Sequence, residues 1–330
     1  MKKILITGAS GFVGSFLVEE ALKRGLEVYA GVRKTSSRKY LQDTNIKFLE
    51  LDFNDLEQVS RQLKAIHFDY VIHNAGVVKV NKKEEFFKYN TKLTTDFATV
   101  LMESQPNLKK FSYISSAAAY GPADKLSKGY VEESDTPSPI DTYGESKLSA
   151  EKWLKDQTNF PYLIFRPTGV YGPRETEIFT FFKAFNQGLE GHIGRTPQKM
   201  AFIYVKDLAK VVLDGTLSSK NQKSYFVSDG NAYPTQDLGK YAAKYLEKKP
   251  LLKINIPIGV VSVIASIGEG IGHLTGKMPV LNKEKVKILK SKNWQVDIAP
   301  LQNDFNFAPA YDLESGLLET IQWYKENKWL

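Results

Sequence analysis

The chain contains no cysteine in 330 residues, which excludes disulfides, thiolate metal sites and cysteine nucleophiles and agrees with a reducing, cytoplasmic setting. Histidine is scarce. Of the four, His67, His73, His192 and His273, no two have the local spacing of a metal site, so neither a structural nor a catalytic metal is expected. No apolar run is long enough to span a bilayer: the most apolar late stretch, Ile254 to Ile267, is broken by Asn255, Pro257 and Gly259 and reads as a buried or pocket-lining segment. A signal-peptide core is missing too, because Gly8 and Gly11 interrupt the apolar run that follows Lys2 and Lys3, and a buried first strand is the better reading. The lysines read as scattered through the chain rather than grouped in a stripe, so the formal charge of +8 is taken as solvated surface and no nucleic-acid partner is expected.

What is present suits a globular chain with a sizeable core: 42% hydrophobic residues and a length for one large or two modest domains. Short apolar runs at Ile4–Thr7, Val28–Val32, Phe48–Leu51, Val71–His73, Phe111–Ser115 and Leu163–Phe165 alternate with helix-like segments such as Leu56, Val59 and Leu63. Fully apolar strands alternating with helices predict an α/β fold with a doubly wound parallel sheet covered on both faces, its ligand at the carboxyl ends of the strands. After Arg166-Pro167 the alternation weakens, so residues 1–173 are expected to form the sheet domain and 174–330 a smaller mixed substrate domain, with 202–215 able to pack back on the sheet. No Gly/Ser linker separates the two parts, which predicts tight packing and a cleft.

Two motifs point to nicotinamide-dependent redox chemistry. The run Thr7-Gly8-Ala9-Ser10-Gly11-Phe12-Val13-Gly14 follows the first apolar run and has the glycines that a tight strand-to-helix turn needs to bring backbone N–H groups against a pyrophosphate. Tyr143 and Lys147 lie four residues apart, on one face of a helix, where an ammonium would pull the phenol pKa down from roughly 10 toward neutrality. Such a pair exchanges a proton with an alcohol or ketone.

Together with L-D-F-N-D at 51–55, H-N-A-G at 73–76, Y-I-S-S-A-A-A-Y-G at 113–121, Y-G-E-S-K at 143–147, R-P-T-G-V-Y-G-P-R at 166–174 and F-I-Y-V-K-D-L-A at 202–209, these motifs resemble the extended short-chain dehydrogenase/reductase (NAD-dependent epimerase/dehydratase) family over nearly the whole chain. The pattern is most similar to dihydroflavonol-reductase-like and 3β-hydroxysteroid-dehydrogenase-like members. The resemblance implies a Rossmann NAD(P)-binding domain and assigns Ser116 to the substrate oxygen, Tyr143 to proton donation, Lys147 to the nicotinamide ribose and Asn90 to completion of the tetrad. It implies cofactor contacts at Gly8, Ser10, Gly11, Phe12, Val13 and Gly14, at Asp52 and Phe53 beside the adenine, at Asn74, Ala75 and Gly76 under the cofactor, at Tyr143 and Lys147, and at Pro167, Thr168, Gly169 and Val170. It also suggests a homodimer through two helices of the sheet domain, one of them bearing Tyr143.

After the second strand, where an acid normally holds the adenosine ribose of NAD, the sequence Ala30 to Arg38 has none, and Arg33, Ser36 and Arg38 suit a 2′-phosphate. NADP(H) is therefore expected, with NAD possible. Ala117 and Ala118 stand where dehydratases of the family carry Asp-Glu, so dehydration is not expected. The Arg-rich stretch by which epimerases grip a diphosphate is not visible at 306–316, although Arg174 and Arg195 remain candidates for a phosphate. The expected activity is hydride transfer between NADP(H) and a ketone or secondary alcohol on an apolar small-molecule substrate, the apolar pocket being read from Ile256–Val261 and from Phe179, Phe181, Phe182 and Phe185. A nucleotide-sugar 4-epimerase and a non-catalytic cofactor sensor are the alternatives.

Overall fold

The structure is a computed structural model that describes residues 1–194, 198–275, 279 and 281–330. Its centre is a seven-stranded sheet in the order Lys223–Val227, Tyr162–Pro167, Lys110–Ile114, Tyr70–His73, Lys3–Thr7, Glu27–Val32, Lys47–Glu50. Every pairing is parallel. Successive side chains of a strand point to opposite faces, and Lys3–Thr7 follows that rule: Ile4 and Ile6 join Phe16, Leu17, Leu208 and Val212 in one core, whereas Leu5 joins Val59, Leu63, Phe97 and Leu154 in the other. The helices Phe12–Lys23 and Val205–Leu217 thus cover one face, and Leu56–Ala65, Leu93–Ser104 and Thr142–Lys155 the other. Cutting one such buried aliphatic side chain to alanine costs about 2–5 kcal/mol, so both helical layers are held by the strand pattern itself.

The outermost strand, Lys223–Val227, is an element that the sequence does not signal. It pairs with Tyr162–Pro167 after the chain has left the sheet through Gly169–Tyr171, which pairs with Phe202–Tyr204. Lys110, almost wholly buried, donates to the Lys220 carbonyl and to Asn221 Oδ1 and pins the approach to this strand.

Beyond the sheet, Glu177–Asn186, Gln236–Leu246 and Leu313–Glu326 enclose a third core rich in aromatic side chains. Phe182 and Phe185 are buried there, and Phe179 meets Tyr324 and Trp329 edge-on at 5.1 and 5.0 Å. The phenylalanine run that reads as pocket lining is therefore core packing, because its helical spacing turns those rings toward the Leu313–Glu326 helix. The stretch Ile254–Ile267 is corrected in the opposite sense. It forms the end of a strand, Leu252–Ile256, and most of a helix, Ile258–Thr275, and many of its apolar side chains are exposed rather than buried.

Candidate active site

The glycine turn closes at the carboxyl end of the first strand. Gly8 has φ of 66°, Gly11 N donates to Gly8 O at 3.0 Å, and a Cβ on Gly14 would lie 2.1 Å from Gly8 O, so no larger residue fits there. The Phe12–Lys23 helix starts from this turn with no side-chain cap and no acid in its first turn. Its free N–H groups and positive end suit the diphosphate of a dinucleotide.

A chain of hydrogen bonds runs from that turn to the next strand and helix. Ala75 N donates to Thr7 Oγ1 at 3.2 Å, Thr7 Oγ1 meets His73 Nδ1 at 2.8 Å, His73 Nε2 meets Thr94 Oγ1 at 3.1 Å, and Thr94 Oγ1 donates to Asn90 O at 2.7 Å. Since the Thr94 proton is committed to Asn90, Nε2 carries the His73 proton and Nδ1 accepts from Thr7. Burial, with Lys147 adding to it, pushes His73 down to about 3, which keeps the ring neutral and the chain pointing one way.

Asn90 lies in a π-helical turn, Phe87–Lys92, that joins two α-helical segments. Its Oδ1 accepts from Val77 N at 2.8 Å, and its Nδ2 donates to Val77 O at 3.0 Å and Ser146 Oγ at 3.1 Å. The buried amide thus fastens the backbone after Asn74, Ala75 and Gly76 to the helix carrying Tyr143.

That helix, Thr142–Lys155, begins where Asp141 accepts from Gly144 N at 2.8 Å. A Cβ on Gly144 would come within 2.3 Å of Ala118 O, so glycine is what lets the helix approach the short turn capped by Ser116, whose Oγ accepts from Ala118 N at 3.2 Å. Burial pushes the Tyr143 phenol up to about 12, Asp141 and Glu177 adding to the rise while the neighbouring Ser116 hydroxyl opposes it. Burial, rather than the Lys147 charge, sets the direction of this shift. The Lys147 ammonium donates to Ile114 O at 2.9 Å and lies 4.9 Å from the centre of the Tyr113 ring, and burial pushes its own pKa down to about 8, Glu151 resisting.

Glu151 escaped the sequence reading although it continues the 143, 147 face by one more turn. It is buried, accepts from Ser115 Oγ, and pairs with the fully buried Arg166 through Nη2 at 2.6 Å. A Tyr, Lys and Glu spaced four apart was the signal.

The structure separates the basic-loop candidates. The guanidinium of Arg33 is exposed and makes no ion pair, while its N–H donates to Ser36 Oγ at 3.1 Å. Arg38 pairs with Glu50 at 3.1 Å and covers the Phe48 ring at 4.2 Å. Asp52 is held by the N–H and side chain of Asn54 at 3.0 and 2.9 Å, and Phe53 stacks edge-on with Phe97 at 5.3 Å. Pro167 ends its strand, Thr168 N donates to Val227 O at 3.0 Å, and Gly169 and Val170 open the next strand. Arg174 does not fit the phosphate role: it donates to Ser15 Oγ at 2.8 Å, pairs with Glu19 at 2.6 Å and is sandwiched between Phe16 and Tyr40. Arg195 lies outside the described residues.

The chain is 28% identical to a UDP-glucose 4-epimerase of Vibrio cholerae over 97% of its own length and 95% of that protein's. It is 23% identical to a decarboxylating sterol-4-alpha-carboxylate 3-dehydrogenase of Schizosaccharomyces pombe, covering 99% of both, and 24% identical to a ceramide reductase of Caulobacter vibrioides, covering 99% and 96%. In fold it resembles the UDP-glucose 4-epimerase of Thermotoga maritima solved with UDP-glucose, with a TM-score of 0.80, 20% identity and 99% of each chain covered. Residues 4–222 match one family profile, a span that holds the glycine turn, Asn90, Ser116, Tyr143 and Lys147, and the chain therefore belongs to the NAD dependent epimerase/dehydratase family.

Proposed function

We propose that the protein is an oxidoreductase that reduces a ketone on an apolar substrate with NADP(H), Tyr143 giving the proton. The observation that carries this reading is the gathering of Ser116, Tyr143 and Lys147 where the Lys110–Ile114 strand ends, with the Asn74–Gly76 backbone reaching from that cluster to the glycine turn. In this reading Gly8, Gly11 and Gly14 admit the diphosphate, Arg33 takes the 2′-phosphate, and Lys147 holds the nicotinamide ribose. The bound cofactor supplies hydride chemistry at the carbonyl carbon. Ser116 hydrogen-bonds the carbonyl oxygen and orients it toward the phenol. The Tyr143 phenol is protonated at neutral pH and is the group that donates to the oxygen that becomes the alcohol. Asn90 keeps the Val77 backbone and the Tyr143 helix in register and so fixes the distance over which the proton moves.

Substrate chemistry is inferred from charge. Arg174 is bound up with Ser15 and Glu19, so it does not grip a diphosphate, and the names of two relatives, a ceramide reductase and a sterol carboxylate dehydrogenase, point to lipid-like substrates. NADPH consumption matched by loss of a long-chain ketone, and absent in Tyr143→Phe, is the expected result. A panel of ketones that consumes no NADPH, while a UDP-sugar inverts at one carbon, would overturn the reading.

The similarity to UDP-glucose 4-epimerase at 28% identity favours a second reading, a nucleotide-sugar 4-epimerase. Denaturing the purified protein separates the two: released NAD supports the epimerase, and an exchangeable NADP the reductase. The same family reading makes the protein a homodimer through the Tyr143 helix and a neighbour, which a strictly monomeric light-scattering mass at micromolar concentration would remove.

A further inference from the structure

The positive charge that reads as scattered is concentrated. Residues 248–292 hold nine lysines and two acids, which is +7 of the chain's +8. Lys249, Lys285, Lys287 and Lys290 are exposed and carry no ion pair. Glu284 is not free to neutralise them, because it takes Lys83 Nζ and Thr142 Oγ1, each at 2.7 Å.

The same segment bears an uncovered apolar surface. On the Ile258–Thr275 helix, Val261 and Ala265 pack on Val286 of the Lys283–Lys290 helix. Val260, Val263, Ile264 and Ile267, spaced to share another face, are 49%, 59%, 51% and 60% exposed. A contiguous exposed apolar stripe of this kind marks an interaction surface. The adjoining two-stranded sheet repeats the arrangement: Leu252 lies opposite Leu189 with both side chains exposed, while on the alternate face Glu190 pairs with both His192 and Lys253.

We infer that this surface docks on an anionic lipid bilayer, lying in the headgroup region with the Val260–Ile267 stripe in the acyl boundary and the lysines on lipid phosphates. A second copy of the chain is a poor occupant, since a two-fold contact would set one +7 segment against another. Nucleic acid would leave the apolar stripe without a partner. No described helix is long and apolar enough to cross a membrane, which makes the contact interfacial. Glu284 ties the segment to Thr142, next to Tyr143, so docking holds the active site at the bilayer surface.

Flotation of the purified full chain with phosphatidylcholine vesicles, with and without phosphatidylglycerol, tests the inference and needs no substrate. The wild type should float with the anionic vesicles, and added salt should release it. The double variant Val263→Glu/Ile267→Glu should lose flotation, while Lys287→Glu and Lys290→Glu should each weaken partitioning about fivefold or more. Thermal midpoint and NADPH binding should be unchanged in all of them, since none of these positions lies in the site. A wild type that stays in the aqueous fraction with both vesicles would overturn the inference, as would a double variant that floats normally. So would a wild-type dimer that the double variant converts to monomer, or salt-sensitive binding to an acidic soluble protein in place of vesicles. NADPH consumption is read separately, so failure here leaves the proposed reductase standing and the reverse also holds.

Discussion

The turn at Gly8–Gly14 and the helix at Ile258–Thr275 sit at opposite ends of one range of constraint. Around the turn, a single added carbon at Gly14 would collide with Gly8 O at 2.1 Å, and the polar groups behind it form one directed chain from Ala75 to Asn90. Along the helix, Val263 and Ile267 face solvent and meet no partner that explains them. Where geometry is closed, identity follows from sterics and hydrogen bonding within the chain. Where a face is left open, identity follows from what the chain meets, and only the joint distribution of charge and exposure reveals it.

The hardest test of the closed region is Tyr143→Phe. Removing the hydroxyl should lower turnover by about 10²–10⁴-fold, the usual contribution of a positioned general acid. NADPH binding should hold, because the glycine turn is untouched. Turnover that survived with less than a tenfold loss would show that the site donates its proton elsewhere, and the contrast between a constrained and an open region would lose its catalytic half.

The closed region was also the legible one. Six of the sheet strands lie within a residue or so of the apolar runs that announce them, because a strand buried on both faces must be apolar, and even the edge strand Lys47–Glu50 keeps Phe48 and Leu49 against the core. Lys223–Val227 was missed since its first residues, Lys223 and Ser224, lack that signature and its partner, Tyr162–Pro167, lies far back in sequence. Tyr143, Lys147, Ser116 and Asn90 could be named from spacing and resemblance, but the direction of the Tyr143 shift could not. It depends on the desolvation created when Gly144 brings the helix against Ala118, a close approach that spacing does not encode. Arg38 and Arg174 read as phosphate candidates, and their pairing with Glu50 and Glu19 is a tertiary contact that spacing does not encode either.

His73 extends the comparison to acid stability. Its pKa lies near 3 in the fold, by burial first and Lys147 second, against an ordinary value of 6.5. The unfolded chain therefore binds this proton first, so the stability is intact above pH 6.5 and is lost as pH falls toward 3. Full protonation costs on the order of 5 kcal/mol, of which about 2 kcal/mol is already lost at pH 5. His73→Gln abolishes that term while keeping a donor and an acceptor, so the gap between wild type and variant in urea melts should narrow from pH 7 to pH 5. A gap independent of pH would mean that the ring is not held neutral.

Cofactor selectivity sets two arginines of one loop against each other. Arg33 is exposed and unpaired, and Arg33→Ala should weaken NADPH ten- to a hundred-fold relative to NADH, the worth of a charge-assisted contact at about 1.5–3 kcal/mol. Arg38 already pairs with Glu50 over Phe48, and Arg38→Ala should change the same ratio by less than about threefold. Fluorescence titration of both reduced cofactors measures both. Equal losses for the two cofactors in Arg33→Ala would remove the NADP preference.

The smallest effect expected is the one that best defines the open region. Ile264→Ser should shift unfolding free energy by no more than about 0.5 kcal/mol, since a side chain half in water has little burial to lose. The same change at Ile72, wholly buried in the sheet, should cost about 3 kcal/mol or more. Urea melts of the two variants at pH 7 without lipid give both numbers. A loss at Ile264 close to that at Ile72 would mean that other protein covers the stripe in solution, and a bilayer would then have no free face to meet.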